Sequence, residues 1–283
     1  MTQTSTPIAG PLPLVDGPAP APDDKAPARK TPPAAVAARL MEAWSKADST
    51  DLIFIAASER RADEIARALE AMAAPEGPVA LVFPPWDCLP YDRAAPSRES
   101  MGRRMAVLHH ATVPGTAGRL VITSPEAMLQ RTPPQGVAAV RFSLKVGEPL
   151  DREALEAFAR RTGYMPDERI DEPGEIAILA EVIDVYPPSA LTPYRLVIDP
   201  DGTVADIKAF DPVTQRALDS VASLTLTAAS ELVVAEADDS DRSNQDPHAL
   251  ARFYDAPLGT LFDAFPEAGL LRDDDVEARL TRV

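Results

Sequence analysis

With 283 residues and 45% hydrophobic side chains, the chain has material for one large domain or two ordinary ones around a sizeable core. A net charge of −16 excludes a broad phosphate-binding surface, so any contact with nucleic acid needs a local basic patch. The single cysteine, Cys88, excludes a disulfide within the chain and fits a reducing compartment.

Met1 to Pro33 holds nine prolines and no apolar periodicity (GPLPLVDGPAPAPDDKAPARKTPP), which predicts a disordered lead. Order is predicted to begin with AAVAARLMEAWSKA, where Val36, Leu40 and Trp44 share one helical stripe. DLIFIAA from Asp51 is a short continuous apolar run, the pattern of a buried parallel strand. Ser58 is an N-cap candidate for a helix with Ile65, Leu69 and Met72 inward. PVALVF is a second buried strand, and ESMGRRMAVLHHA a helix with Met101, Met105 and Leu108 on one side. RLVITS is a third strand, followed by PEAMLQRT with Pro at the first helical position. Such alternation predicts a parallel α/β sheet.

The pattern then changes. FSLKVG, the helix DREALEAFARRTG, and the two runs EIAILAEVIDVYP and YRLVIDPDGTVADIKAFD predict a mixed or antiparallel unit. Asp199 to Gly202 (DPDG) reads as a hairpin turn, because glycine supplies the positive φ that such turns use. SLTLTAASELVV reads as one returning apolar strand, EADDSDRSNQDPH as a polar linker, and ARFYDAPLGTLFDAFPEAGLL as the start of a short last element.

Catalytic signatures are missing. The chain has no GxxxxGK[ST] and no GxGxxG, hence no phosphate-cradling loop. His109 and His110 point about 100° apart on a helix and make poor joint ligands; both read as surface residues. No Cys/His cluster has zinc spacing, Cys88 reads as a packed thiol, and the acidic runs read as solvated. Arg98, Arg103 and Arg104 cluster with the two histidines. A solvated basic face explains them better than a DNA site, so direct DNA binding is not expected. No apolar run approaches 18 residues, which predicts a soluble, cytoplasmic protein without membrane contact.

FPPWDCLPYDRAAPSRESMGRRMAVL, from Phe83, resembles the N-terminal module of the bacterial transcription-repair coupling factor, where a WDxLPYD loop follows a buried strand. The resemblance continues through EVIDVYPP and FDPVTQR, in the same order and spacing, and covers about residues 35 to 235. That module is similar to the excision-repair protein UvrB, with a first domain split in two and a UvrA-interaction domain inserted between. The resemblance therefore implies an α/β fold: a split parallel-sheet domain like UvrB domain 1, its nucleotide site degenerate, with an inserted mixed α+β UvrA-interaction-like domain. On this mapping residues 34–127 and 216–235 make the split domain, 128–215 the insert, and 236–283 an acidic linker with a short C-terminal element. The loop residues Trp86, Pro90, Tyr91 and Asp92 are then structural, with Trp86 and Tyr91 filling a seam.

The resemblance implies a non-enzymatic interaction module that binds UvrA or a UvrA-like partner, with no cofactor, metal or small-molecule substrate. Where UvrB has its phosphate loop, this chain reads ARKTPPAAV, and no ATP hydrolysis is expected. Candidate contacts are Arg169, Glu175, Leu179, Tyr186 and Arg195. Leu179 stands where the family generally carries an arginine, and a second family arginine after Gly163 and Tyr164 is missing. Two other readings follow from the same residues: a diverged paralogue that has lost UvrA, and one piece of a split or truncated DNA translocase.

Overall fold

The computed structural model of the chain describes residues 31–47, 51–73, 77–89, 92–114, 118–235 and 250–281. The proline-rich lead as far as residue 30, Pro90, Tyr91 and the acidic linker EADDSDRSNQDPH lie outside them. Four parallel strands make one sheet in the order β12-β1-β3-β2. They are β1 (Leu52–Ile55), β2 (Val79–Phe83), β3 (Arg119–Thr123) and β12 (Gly269–Arg272). Side chains alternate across the sheet. Leu52, Phe54, Leu120 and Ile122 meet the apolar stripes of α1 (Pro33–Lys46) and α2 (Glu59–Met72) on one face. Ile53 and Val121 meet Met105 and Leu108 of α3 (Arg98–Thr112) on the other.

The caps follow the sequence. Ser58 accepts from the Arg61 N–H, Ser97 from the Ser100 N–H and Ser124 from the Ala127 N–H, each satisfying an orphan donor of the first helical turn. β2 departs from expectation in being an edge strand with Val79 exposed, although Ala80 and Val82 pack on one face of the sheet and Leu81 and Phe83 on the other.

The second unit is a six-stranded sheet in the order β10-β9-β8-β7-β6-β5. It comprises β5 (Met165–Pro166), β6 (Glu175–Ile178), β7 (Val182–Val185), β8 (Tyr194–Ile198), β9 (Val204–Phe210) and β10 (Ala217–Ser220). Pairing is antiparallel except between β5 and β6. Ile176, Ile183, Val185, Leu196 and Ile198 turn to one face, where they pack against Leu155 and Phe158 of α5 (Arg152–Arg161). β4 (Arg141–Lys145) and β11 (Ser223–Thr227) form a separate antiparallel ribbon that adds Leu144 and Leu226 to this core. The DPDG turn joins β8 to β9, with Gly202 at φ 85° and its N–H donating to the Asp199 carbonyl at 2.9 Å.

Three sequence expectations are corrected. EIAILAEVIDVYP, read as one strand, is a hairpin: β6 turns at Leu179 to Val182 without glycine or proline, so no turn residue announced it. SLTLTAASELVV is a strand only as far as Thr227, and it pairs with β4 rather than with the parallel sheet. The segment after residue 250 is no isolated element, because β12 pairs in parallel with β1 from Leu52↔Gly269 to Ile55↔Arg272. Arg61 of α2 donates through Nε and Nη2 to the buried Asp273 carboxylate just beyond β12.

The basic cluster is also corrected. Arg104 is fully buried, Arg98 donates through Nε to the Gly163 carbonyl at 2.8 Å, and Arg103 pairs with Asp63. His109 is buried with Nδ1 2.8 Å from the Ala138 carbonyl. Arg104 and His109 are buried, and Arg98 and Arg103 are half-buried in bonds within the fold, so these side chains do not form a solvated basic face. Cys88, read as packed, is half-exposed.

Candidate functional site

The motifs singled out in the sequence meet in two places. The first is a buried polar hub beneath the WDC loop. Arg104 on α3 donates through Nε to Glu231 at 2.5 Å, through Nη1 to the Pro84 carbonyl and the Gln130 side chain at 3.1 Å each, and through Nη2 to the Arg131 carbonyl at 2.9 Å. Trp86 donates its indole N–H to the other Glu231 oxygen at 2.9 Å. The guanidinium also lies 4.3 Å from the Phe83 ring centre. Burial pushes the Glu231 carboxyl up, against the pull of Arg104 and the Trp86 N–H. Every polar atom of the pair that faces the interior has a partner. This hub fastens together the elements that meet at it.

Asp92 belongs to the same loop and accepts from the Leu89 N–H at 2.8 Å. Those two residues lie outside the described ones.

The second meeting place is the outer face of the six-stranded sheet, opposite α5. Strand alternation puts Glu175, Ala177, Asp184, Arg195 and Lys208 on this side, in register across four strands. Arg195 on β8 makes a two-pronged pair with Asp184 on β7, Nε to Oδ1 at 2.7 Å and Nη2 to Oδ2 at 2.6 Å. Its guanidinium stacks 4.8 Å from the Phe210 ring centre and its Nη2 reaches Gln215 Oε1 at 3.4 Å. Gln215 is held there by FDPVTQR itself. Asp211 Oδ1 accepts from the N–H groups of Val213 and Thr214, and the resulting tight loop forces Gln215 to φ 58°. EVIDVYPP, YRLVI and FDPVTQR thus converge on one ion pair that lies only half out of water.

The five candidate contacts have different fates. Arg195 and Leu179 are on the open part of this face, Leu179 with 60% of its surface exposed at the β6–β7 tip. Tyr186 is buried with Ile170, Ala177 and Phe210, and its hydroxyl donates to the Leu191 carbonyl at 3.0 Å. Burial, helped by the Glu99 charge, raises its phenol above the usual value. Glu175 folds its carboxylate onto its own loop, accepting from the Asp171 and Glu172 N–H groups at 2.8 Å each. Arg169 is exposed and paired with Asp171 at 3.0 Å. Asp184 and Gln215 were missed by sequence reasoning. Asp184 stands inside the quoted IDVYPP, but only the β7–β8 register aligns it with Arg195.

A cleft of about 230 Å³ lies elsewhere, between α3 and the loops at Thr132 to Gly136 and Gly259 to Ala264. Among the described residues no group of three or more His, Cys, Asp or Glu side chains is placed to hold a metal ion, and no helix is long and apolar enough to cross a membrane.

Comparison with known proteins bears on the second site. Residues 142–232 match the family model described as the UvrB interaction domain, a span that runs from β4 through β11 to the Glu231 hub. The chain is 28% identical over 190 residues to the transcription-repair-coupling factor of Myxococcus xanthus, covering 65% of this chain and 16% of that protein. It is 27% identical over 179 residues to the one of Haemophilus influenzae, covering 63% and 15%. For the one of Escherichia coli the figures are 26% over 213 residues, 66% and 18%. The chain therefore spans about a sixth of the length of these curated relatives. Residues 142–232 carry a UvrB interaction domain, and over about two thirds of its length the chain is a homologue of transcription-repair-coupling factors.

Proposed function

We propose that the chain is a non-enzymatic interaction module of coupling-factor type, whose six-stranded unit binds UvrA or a UvrA-like partner and so links it to nucleotide excision repair. The observation that carries this reading is the coincidence of the UvrB interaction domain match, residues 142–232, with a sheet whose main core lies on one side and whose other side is covered only in part, by the cluster of Ile170, Ala177, Tyr186 and Phe210. On the other side Arg195 is pre-positioned by Asp184, Phe210 and Gln215 while remaining accessible. A planar guanidinium already ordered on the free protein loses little freedom on docking, which is how an interface arginine becomes a large contributor.

The test is a calorimetric or biosensor titration of the purified chain against UvrA from the same organism at moderate salt. Binding that Arg195→Ala abolishes, with the fold intact by circular dichroism, supports the reading. A folded wild-type chain that binds no UvrA at micromolar concentration sinks it.

A second reading has its own observation. Leu179 is exposed where the resembling family carries arginine. A paralogue that has left UvrA for another partner accounts for that change. It predicts that Leu179→Arg creates UvrA binding where the wild type has none.

A further inference from the structure

The half of the outer sheet face nearest the β6–β7 tip is apolar in a specific way. The Leu179 N–H donates to the Val182 carbonyl at 2.9 Å, so strand alternation continues through the tip. Val182 stands directly opposite Val197, and Val197 opposite Asp206. Ile178, Ile183, Leu196 and Ile198 all belong to the core on the other side, so Leu179, Val182 and Val197 form one row on the outside. Farther along the face, Ile170 covers Ala177, Tyr186 and Phe210. Over the Leu179 row no such cover is present among the described residues.

The tip is held still. Arg152, the first residue of α5, donates through Nη1 to the Leu179 carbonyl and through Nη2 to the Ala180 carbonyl, each at 2.7 Å. Two charge-assisted bonds on consecutive carbonyls set the direction in which Leu179 projects. An exposed leucine on a mobile tip would cost ordering entropy on docking, and this one is ordered beforehand.

The charge around the row is predominantly acidic. Glu181, Asp199 and Asp201 are all exposed on the two hairpin tips that flank it. On the face itself Asp184 is matched by Arg195 and Asp206 by Lys208. Arg152 bonds two neutral carbonyls and keeps its charge, so three exposed carboxylates face one cation at this end of the face. An apolar centre with an acidic rim repels a second copy of itself and attracts a surface of opposite sign.

Resting on the reading that this unit binds UvrA, we infer that Leu179, Val182 and Val197 form the apolar centre of the contact. Their partner surface is an exposed aliphatic or aromatic side chain ringed by lysine or arginine. Leu179 is then a specificity residue and not a vacancy left by a lost arginine. A guanidinium at that position would want an acidic partner, whereas leucine inside an acidic rim selects a basic one.

The experiment titrates UvrA from the same organism into the full chain at low and high salt, for the wild type, Leu179→Ser, and a Glu181→Lys, Asp199→Lys double variant. Neither change touches a core side chain, and circular dichroism with thermal melting checks that the fold is kept. The expected result is binding that Leu179→Ser weakens about tenfold. Wild-type affinity should also fall as salt rises, and the double variant should weaken binding and flatten that dependence. Wild-type binding that Leu179→Ser leaves unchanged, or that the double variant tightens, overturns this inference while leaving the UvrA reading intact. Absence of any wild-type binding removes the UvrA reading and this inference with it. Self-association of the chain in sedimentation that Leu179→Ser abolishes assigns the row to a second copy and overturns it too.

Discussion

Arg104 and Glu231, 127 positions apart in the chain, close a fully buried ion pair at 2.5 Å that ties α3 to the segment leaving β11. The same carboxylate holds the Trp86 indole, and the Glu231 carbonyl accepts from the Tyr254 hydroxyl at 2.7 Å. One residue therefore fastens the WDC loop, the central helix and the C-terminal segment. Burying two charges is costly in itself, and the compensation lies in the number of bonds: the guanidinium makes four and the carboxylate is shared with Trp86. Arg104→Ala is expected to destabilise the fold by about 3–5 kcal/mol in urea unfolding, since it leaves the Glu231 carboxyl buried without its cation. The volume-matched double change Arg104→Met, Glu231→Leu should cost less than Arg104→Ala alone.

The Arg61–Asp273 pair makes attachment of the C-terminal segment pH-dependent. Burial pushes the Asp273 carboxyl up, but the hydrogen bond and charge of Arg61 outweigh it and hold the carboxyl below its usual range. A lowered carboxyl pKa contributes stability that is fully present above the unfolded value, about 3.9. That contribution is lost as the pH falls through the lower folded value. Urea midpoints measured from neutral pH down to about 3 should therefore fall more steeply for the wild type than for Asp273→Asn, which has no proton to gain at this site. Parallel curves would show that the pair does not govern the acid limb.

Gly163 sits at φ +83°, and a Cβ there would come within 2.4 Å of the Ser230 Cβ. The same turn delivers Tyr164, whose hydroxyl donates to the Thr227 carbonyl at 3.0 Å. Gly163→Ala combines a left-handed backbone penalty with a clash, so a loss of at least about 2 kcal/mol is expected in chemical denaturation. Gly202, also left-handed at φ +85°, has open space at its Cβ position. Gly202→Ala should lose only the backbone part, about 1–2 kcal/mol.

Gln215 pays for its position in backbone strain, with φ 58°. Glycine removes that strain and alanine keeps it, while both remove the contacts to Arg195 and to the Pro212 carbonyl. Gln215→Gly should accordingly be more stable than Gln215→Ala by about 1 kcal/mol in paired thermal melts. Equal stabilities would mean that the loop relaxes around the substitution.

Much of the architecture was legible because it rests on local signals. Ser58, Ser97, Ser124 and Asp151 cap helices through side-chain oxygens placed one residue ahead of a periodic run. DPDG marks its hairpin through a glycine that the turn requires. The β6–β7 tip was illegible for the complementary reason: Leu179, Ala180 and Glu181 are not turn formers, and the tip is held by Arg152 from another element. Of the candidate contacts, Arg195 and Leu179 are accessible, whereas Tyr186 packs with Phe210, the structural role that was its alternative reading. Helical periodicity distinguishes an apolar stripe from its opposite side, but it does not say what covers that opposite side. Arg104 consequently looked like part of a solvated face.

The amino-acid sequence by itself determined the strand and helix alternation, the Ser58 cap, and the likeness to coupling factors, because periodicity, caps and ordered motifs act over a few residues at a time. Tertiary structure alone decided that β12 completes the first sheet, that Glu231 meets Arg104, and that Asp184 meets Arg195 across a strand pair. Each of these depends on which strand lies beside which. That choice is made by burial of whole faces and closure of long loops, and no short window of sequence records it.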